Sequence, residues 1–78
     1  MKKVKIYTTP TCTYCQQAKE FFKENSIKFE EINVTKDRKL ADEMISISGQ
    51  KGVPVILIDN NAPIIGFDQE KIEEVLNL

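Results

Sequence analysis

Val4-Lys5-Ile6-Tyr7-Thr8-Thr9-Pro10-Thr11-Cys12-Thr13-Tyr14-Cys15 decides how this chain is read. Its first five residues alternate and are rich in β-formers, so they predict a strand, and Pro10 ends it. From about Cys12 to Asn25 the pattern is helical. Cys15, Ala18, Phe21 and Phe22 share one apolar face, with Lys19, Glu20, Lys23 and Glu24 outside it. A strand running into a helix therefore sets the only two cysteines of the chain at the helix start, three residues apart. Thiols at that spacing can close a small disulfide and release it again.

Three plainer readings compete with redox chemistry. A structural staple would join distant segments, because a loop of about four residues constrains the unfolded chain by only ~2 kcal/mol, against ~4.5 for a loop spanning the domain. Half of a zinc site would need two more ligands, and the chain holds no further Cys and no His. A pair of inert core thiols would sit in an apolar run, and Thr11, Thr13 and Tyr14 do not form one. Redox chemistry is the reading these residues favour.

Outward from this stretch, Ile27 to Val34 predicts a second strand with Phe29, Ile32 and Val34 as its apolar members. Thr35 is the expected cap of a second helix over about Lys36 to Ser48, buried through Leu40, Ala41, Met44 and Ile45 and stopped by Gly49. Val53 to Ile58 is almost uninterruptedly apolar, as a strand buried on both faces should be. Asp59-Asn60-Asn61 is turn chemistry, and Ala62 to Gly66 returns as a short partner strand. Asp68 is the expected cap of a last helix from about Gln69 to Asn77, packed through Ile72, Val75 and Leu76. The order is βαβαββα: an α/β fold with a four-stranded mixed sheet, helices on both faces, a right-handed parallel opening unit and a closing hairpin.

Composition bounds the rest. The 78 residues suffice for a single domain, 1–78, with a small core. Hydrophobic residues at 41% and charged residues at 29% are those of an ordinary globular protein. A net charge of −1 argues against a nucleic-acid partner, which would call for a basic stripe. No apolar stretch approaches the ~18 residues of a membrane span. Lys2-Lys3 leads directly into strand residues instead of a signal-peptide core. A cytoplasmic protein is expected, without membrane association, and a reducing compartment favours a catalytic over a structural cysteine pair.

The helix start also ranks the two thiols. First-turn amides lack intrahelical partners and the helix dipole adds partial positive charge, so a thiolate at Cys12 is favoured over one at Cys15, a turn further in. A thiol with pKa ~8.5 is only about 3% thiolate at pH 7, whereas one lowered to ~6 would be about 90%. Cys12 is therefore the expected attacker of a substrate disulfide, and Cys15 the thiol that resolves the mixed disulfide. With no His available as base, activation falls to the helix and its amides. Lys51 reads first as a solvated surface lysine and only second as an electrostatic helper. Val53-Pro54, taken alone, reads as a trans turn residue, since only ~5–6% of such bonds are cis in folded proteins.

Taken together, these residues resemble the glutaredoxin branch of the thioredoxin superfamily. The likeness is carried by Tyr7 to Cys15, by Gly52-Val53-Pro54 and by Gly66-Phe67-Asp68, and the element order covers essentially the whole chain. It implies a thioredoxin-like fold. It also implies that the Val53-Pro54 bond is cis and faces the cysteines, leaving the Val53 main chain free to pair with a substrate peptide. Tyr14, Phe67 and Asp68 are implied to hold glutathione, although Asp68 also reads as a helix cap and Phe67 as core. The chain departs from the family pattern at Thr13, where proline is common, at Thr9, where a lysine serves a glutathione carboxylate, and at Ile65, where a second glycine precedes Gly66. Each departure weakens a glutathione site without touching dithiol chemistry.

The resemblance thus implies a monomeric thiol–disulfide oxidoreductase with no permanently bound cofactor or metal. Its expected partners are disulfide-containing proteins, with electrons from glutathione or from a thioredoxin-reductase-type flavoenzyme. The Gly66-Phe67-Asp68-Gln69-Glu70-Lys71 ending is similar to small bacterial glutaredoxin-like proteins and to NrdH-type redoxins. Two alternatives follow: a dedicated donor to ribonucleotide reductase or a peroxidase, and, from another class, a carrier of a [2Fe–2S] cluster.

Overall fold

In the computed structural model the described residues are 3–59 and 61–78. Strand β1 (Val4–Thr8) leads to helix α1 (Thr13–Glu24), then β2 (Glu30–Asn33), α2 (Arg38–Ser48), β3 (Val55–Ile58), β4 (Ile64–Ile65) and α3 (Gln69–Leu76). The strands form one sheet in the order β2-β1-β3-β4. The β1–β2 pair is parallel, with Lys5 opposite Glu30, while β1–β3 and β3–β4 are antiparallel, with Val4 opposite Ile58 and Val55 opposite Ile65. This is the expected βαβαββα fold with its parallel opening unit.

Side-chain alternation splits the core in two. Val4, Ile6, Ile56, Ile58 and Ile64 face Ala18 and Phe22 of α1 and Ile72 of α3. Tyr7, Val34, Val55 and the half-buried Leu57 face Met44, Leu40, Ala41 and Ile45 of α2. Helices therefore cover both faces. Buried Tyr7 donates its hydroxyl hydrogen to Glu43 Oε1 at 3.0 Å. Burial first, then this bond, push its pKa up to about 12, so the phenol stays neutral in ordinary buffers.

The element ends differ from the sequence reading, each for a local reason. Cys12 is the N-cap of α1 and not its first helical residue. The cap of α2 is Asp37, not Thr35: the Asp37 carboxylate accepts from Lys39 N at 2.9 Å, whereas the Thr35 hydroxyl is turned away from the helix and donates to Asn33 Oδ1. The second strand starts at Glu30, although Ile27 and Phe29 still pack on the core. Pro54 has no N–H to give a ladder, so β3 starts at Val55 instead of Val53. Strand β4 shrinks to Ile64–Ile65, between Pro63 and the left-handed Gly66 (φ 80°). Asn77 caps α3 in a left-handed conformation and lies outside the helix, while Gly49 ends α2 as expected, at φ 74°. Asn60, the middle of the expected turn, lies outside the described residues.

Candidate active site

Cys12 sits where β1 has ended and α1 begins. Its backbone is extended (φ −83°, ψ 112°), its N–H donates to Thr9 O at 3.3 Å, and its carbonyl accepts from Gln16 N at 3.3 Å. The side chain performs the task that Ser or Asp performs at most helix starts: Cys12 Sγ accepts the Cys15 N–H at 3.1 Å. An orphan amide of the first turn is thus aimed at sulfur. No acidic residue lies in that turn to oppose a negative charge there. Hydrogen bonding to the charged form and the helix dipole both favour the thiolate.

The two sulfurs are joined as a disulfide with the Cα atoms 5.2 Å apart, inside the range for unforced bridges. Their surroundings differ sharply. Cys15 is 0% exposed, while Cys12 is half-buried at the protein surface. An incoming disulfide can therefore reach Cys12 and not Cys15.

The third part of the site arrives from a distant stretch of sequence. The Val53–Pro54 bond is cis, which corrects the trans reading from residues alone and agrees with the family resemblance. Pro54 is fully buried, and the Val53 carbonyl oxygen lies 3.7 Å from Cys12 Sγ. Gly66 N donates to Pro54 O at 2.8 Å, tying this segment to the end of β4. Among the described residues, the Val53 N–H has no acceptor within the chain. An unpaired main-chain N–H beside the reactive sulfur is what an incoming strand can use.

The remaining expected site residues stand as follows. Tyr14 is 63% exposed in the first turn of α1, next to Cys15. The Phe67 ring is half-buried against Phe21, centroids 5.8 Å apart, so it contributes to packing between α1 and the final turn. Asp68 caps α3, accepting from Lys71 N at 3.2 Å, so part of its acceptor capacity is committed there. Ile65 is 52% exposed and Lys51 is exposed. Among the described residues no cluster of His, Cys, Asp and Glu could hold a metal ion.

Sequence reasoning missed a polar tie beneath α1. Buried Thr8 donates its hydroxyl to Glu31 Oε2 at 2.9 Å, and Lys19 Nζ reaches the same oxygen at 2.8 Å. Glu31 thus links the site helix to β1 and β2. The Lys19 hydrogen bond holds its carboxyl below the ordinary glutamate value against the opposing effect of burial, with Thr8 adding to the lowering. A depressed carboxyl stabilises the fold above its unfolded pKa, and that stabilisation disappears as pH falls through the folded value. The side chain is 41% exposed, so the effect is small, below about 1 kcal/mol. Urea midpoints of the parent should exceed those of Glu31→Gln near neutrality, and the gap should close as the pH falls below the ordinary glutamate value and through the lowered one. A gap that does not change with pH would contradict the assignment.

The comparisons with known proteins agree with this geometry. The glutaredoxin family model matches residues 4–62. The chain belongs to the glutaredoxin family. It is 47% identical over 73 residues to an uncharacterized glutaredoxin-like 8.6 kDa protein in the rubredoxin operon of Clostridium pasteurianum, covering 94% of this chain and 96% of that one. The crystal structure of the glutaredoxin from Archaeoglobus fulgidus superposes with a TM-score of 0.87 at 30% identity, covering 100% of this chain and 89% of the other. NrdH-redoxin from Escherichia coli, whose structure was described for its thioredoxin-like activity profile, superposes with a TM-score of 0.80 at 26% identity, covering 94% and 93%. This glutaredoxin is accordingly a thiol–disulfide oxidoreductase with a Cys12/Cys15 pair, and disulfide-bearing proteins are its class of partner. No helix among the described residues is long and apolar enough to cross a membrane.

Proposed function

We propose that the protein reduces protein disulfides by a dithiol cycle in which Cys12 attacks and Cys15 resolves. The observation that carries this is the asymmetry of the pair: Cys12 Sγ, reachable from solvent, accepts the amide of a fully buried Cys15. In the first half-reaction the Cys12 thiolate bonds to one substrate sulfur and expels the other as a thiolate. In the second, the Cys15 thiolate bonds to Cys12 and expels the remaining substrate sulfur. The substrate gains two electrons, and the Cys12–Cys15 bridge is left to be reduced. The Val53 main chain supports the reading by offering a strand-like contact beside Cys12.

The oxidised pair receives its electrons from a thioredoxin-reductase-type flavoenzyme in preference to glutathione. Thr9 supplies no cation for a glutathione carboxylate, Asp68 is engaged in capping, and the likeness to the NrdH redoxin supports the same choice. Tyr14, Phe67 and Asp68 remain as a weakened glutathione contact, so glutathione mixed disulfides are secondary substrates. A donor of electrons to ribonucleotide reductase or a peroxidase would use the same cycle. Because the pair must be re-reduced at every turnover, we place the protein in the reducing cytoplasm, working as a monomer with no resident cofactor. A visible absorption band after anaerobic purification would instead support a bridged [2Fe–2S] cluster.

Coupling the protein to NADPH oxidation with two reducing systems in parallel tests the electron source. Turnover with thioredoxin reductase should exceed that with glutathione and its reductase by at least about tenfold, the cost of one missing charge-assisted bond. Activity with glutathione alone would overturn the preference and leave the dithiol cycle standing.

A further inference from the structure

The loop between α2 and the cis proline is held by a side chain that the reaction cycle does not use. Gln50 is half-buried, and its carboxamide bonds both main-chain groups of Gly52: Gly52 N donates to Oε1 at 2.5 Å, and Nε2 donates to Gly52 O at 3.0 Å. Nε2 also donates to Ser48 Oγ at 3.1 Å. That hydroxyl has one proton to share between Met44 O at 2.8 Å and Gln50 O at 3.0 Å. The network fixes the amide orientation, since a flipped carboxamide would turn its NH2 toward the Gly52 N–H. The Gln50 side chain thereby imitates a neighbouring strand and occupies Gly52 just before the segment where Val53 stays unpaired.

Gly52 is the second half of the same device. Its φ is not positive, so a turn does not require glycine there. A Cβ at that position would instead stand 2.6 Å from Gln50 Oε1. A side chain at position 52 would therefore push the flexible carboxamide out of its present place. The spacing Gln50-Lys51-Gly52-Val53-Pro54 is thus a physical unit: clamp, exposed spacer, clamped residue, open pairing residue, buried proline.

We propose that Gln50 is a positioning residue for peptide substrates, which holds the Val53 main chain in register with Cys12 by satisfying Gly52 from within the chain. This rests on the reading that a substrate strand pairs with Val53. Gln50 bonds to Ser48 and Gly52 and to neither reacting sulfur, so its removal should act on binding of a peptide and not on thiol chemistry. A disulfide without peptide groups needs no pairing and should not sense it.

The test compares the parent with Gln50→Ala on a disulfide-linked peptide and on bis(hydroxyethyl) disulfide, with Gln50→Glu as a same-size second variant. For Gln50→Ala, KM for the peptide should rise about tenfold, the equivalent of one or two hydrogen bonds, with kcat within about twofold. Kinetics with bis(hydroxyethyl) disulfide should stay within about twofold. Gln50→Glu keeps only the acceptor to Gly52 N, so its KM should fall between the two. An unchanged peptide KM, or an equal loss on both substrates, would overturn the role of Gln50. A peptide N-methylated beside its cysteine separates the two levels. If the parent reduces it as well as the unmethylated peptide, pairing with Val53 fails. If the parent discriminates and Gln50→Ala discriminates equally at unchanged KM, Gln50 alone fails.

Discussion

Replacing Cys12 by serine is expected to lower turnover of a protein disulfide by about a thousandfold or more while leaving the fold in place. The fold survives because serine is a good helix cap, and its oxygen can accept the Cys15 N–H that Cys12 Sγ accepts now. The chemistry does not survive, because a hydroxyl is not ionised near neutrality and no histidine is present to activate it. Cys15→Ala should behave differently. Its site is fully buried and tolerates a small apolar side chain, and Cys12 remains free to attack. The first half-reaction then proceeds and the second cannot, so a covalent adduct with the substrate accumulates, which dithiothreitol releases. Mass spectrometry of the intact protein after exposure to a disulfide-bearing protein reads both outcomes. An adduct on Cys12→Ser but none on Cys15→Ala would reverse the two roles.

Phe22→Ala is expected to be the most damaging single change in the core. Phe22 is 0% exposed, and its ring meets those of Phe21 at 6.1 Å and Phe29 at 5.4 Å, between α1 and the sheet. Removing a buried phenyl group costs about 3–5 kcal/mol through lost transfer energy and the cavity left behind. A domain of this length has under about 10 kcal/mol in total, at roughly 0.1 kcal/mol per residue. With a urea dependence of about 1 kcal/mol per molar, the unfolding midpoint should fall by about 3 M or more. Phe21 is half-buried, so Phe21→Ala should cost distinctly less. A larger loss at Phe21 than at Phe22 would mean that α1 is rotated relative to the packing described above. Because Cys12 and Cys15 begin that helix, Phe22→Ala should also weaken the site indirectly.

The sheet and helices were legible because their signals are periodic and local. Cys15, Ala18 and Phe22 repeat at helical spacing, and Val4, Ile6, Ile56 and Ile58 alternate; each pattern leaves one way to bury the apolar face. The cysteine pair was legible for the same reason, since its spacing and its place at a helix start can be read directly. Competing local choices were harder. Thr35 and Asp37 are both good caps, and in the fold the Thr35 hydroxyl turns to Asn33 while the Asp37 carboxylate takes the Lys39 amide. Val53–Pro54 could not be read as cis from two residues, because cis bonds are the minority for any X–Pro pair and nothing in the local sequence marks the exception. The Glu31 tie and the Gln50 clamp were invisible for a further reason. Glutamate and glutamine carry no positional signal, and only the fold brings Lys19 and Thr8 to one carboxylate.

Alkylation of the reduced protein by iodoacetamide at pH 6, followed by peptide mapping over time, tests the division of labour between the cysteines most directly. Label should accumulate on Cys12 at least about tenfold faster than on Cys15, which is inaccessible until the chain is denatured. Equal rates, or faster labelling of Cys15, would contradict attack by a thiolate held at the start of α1.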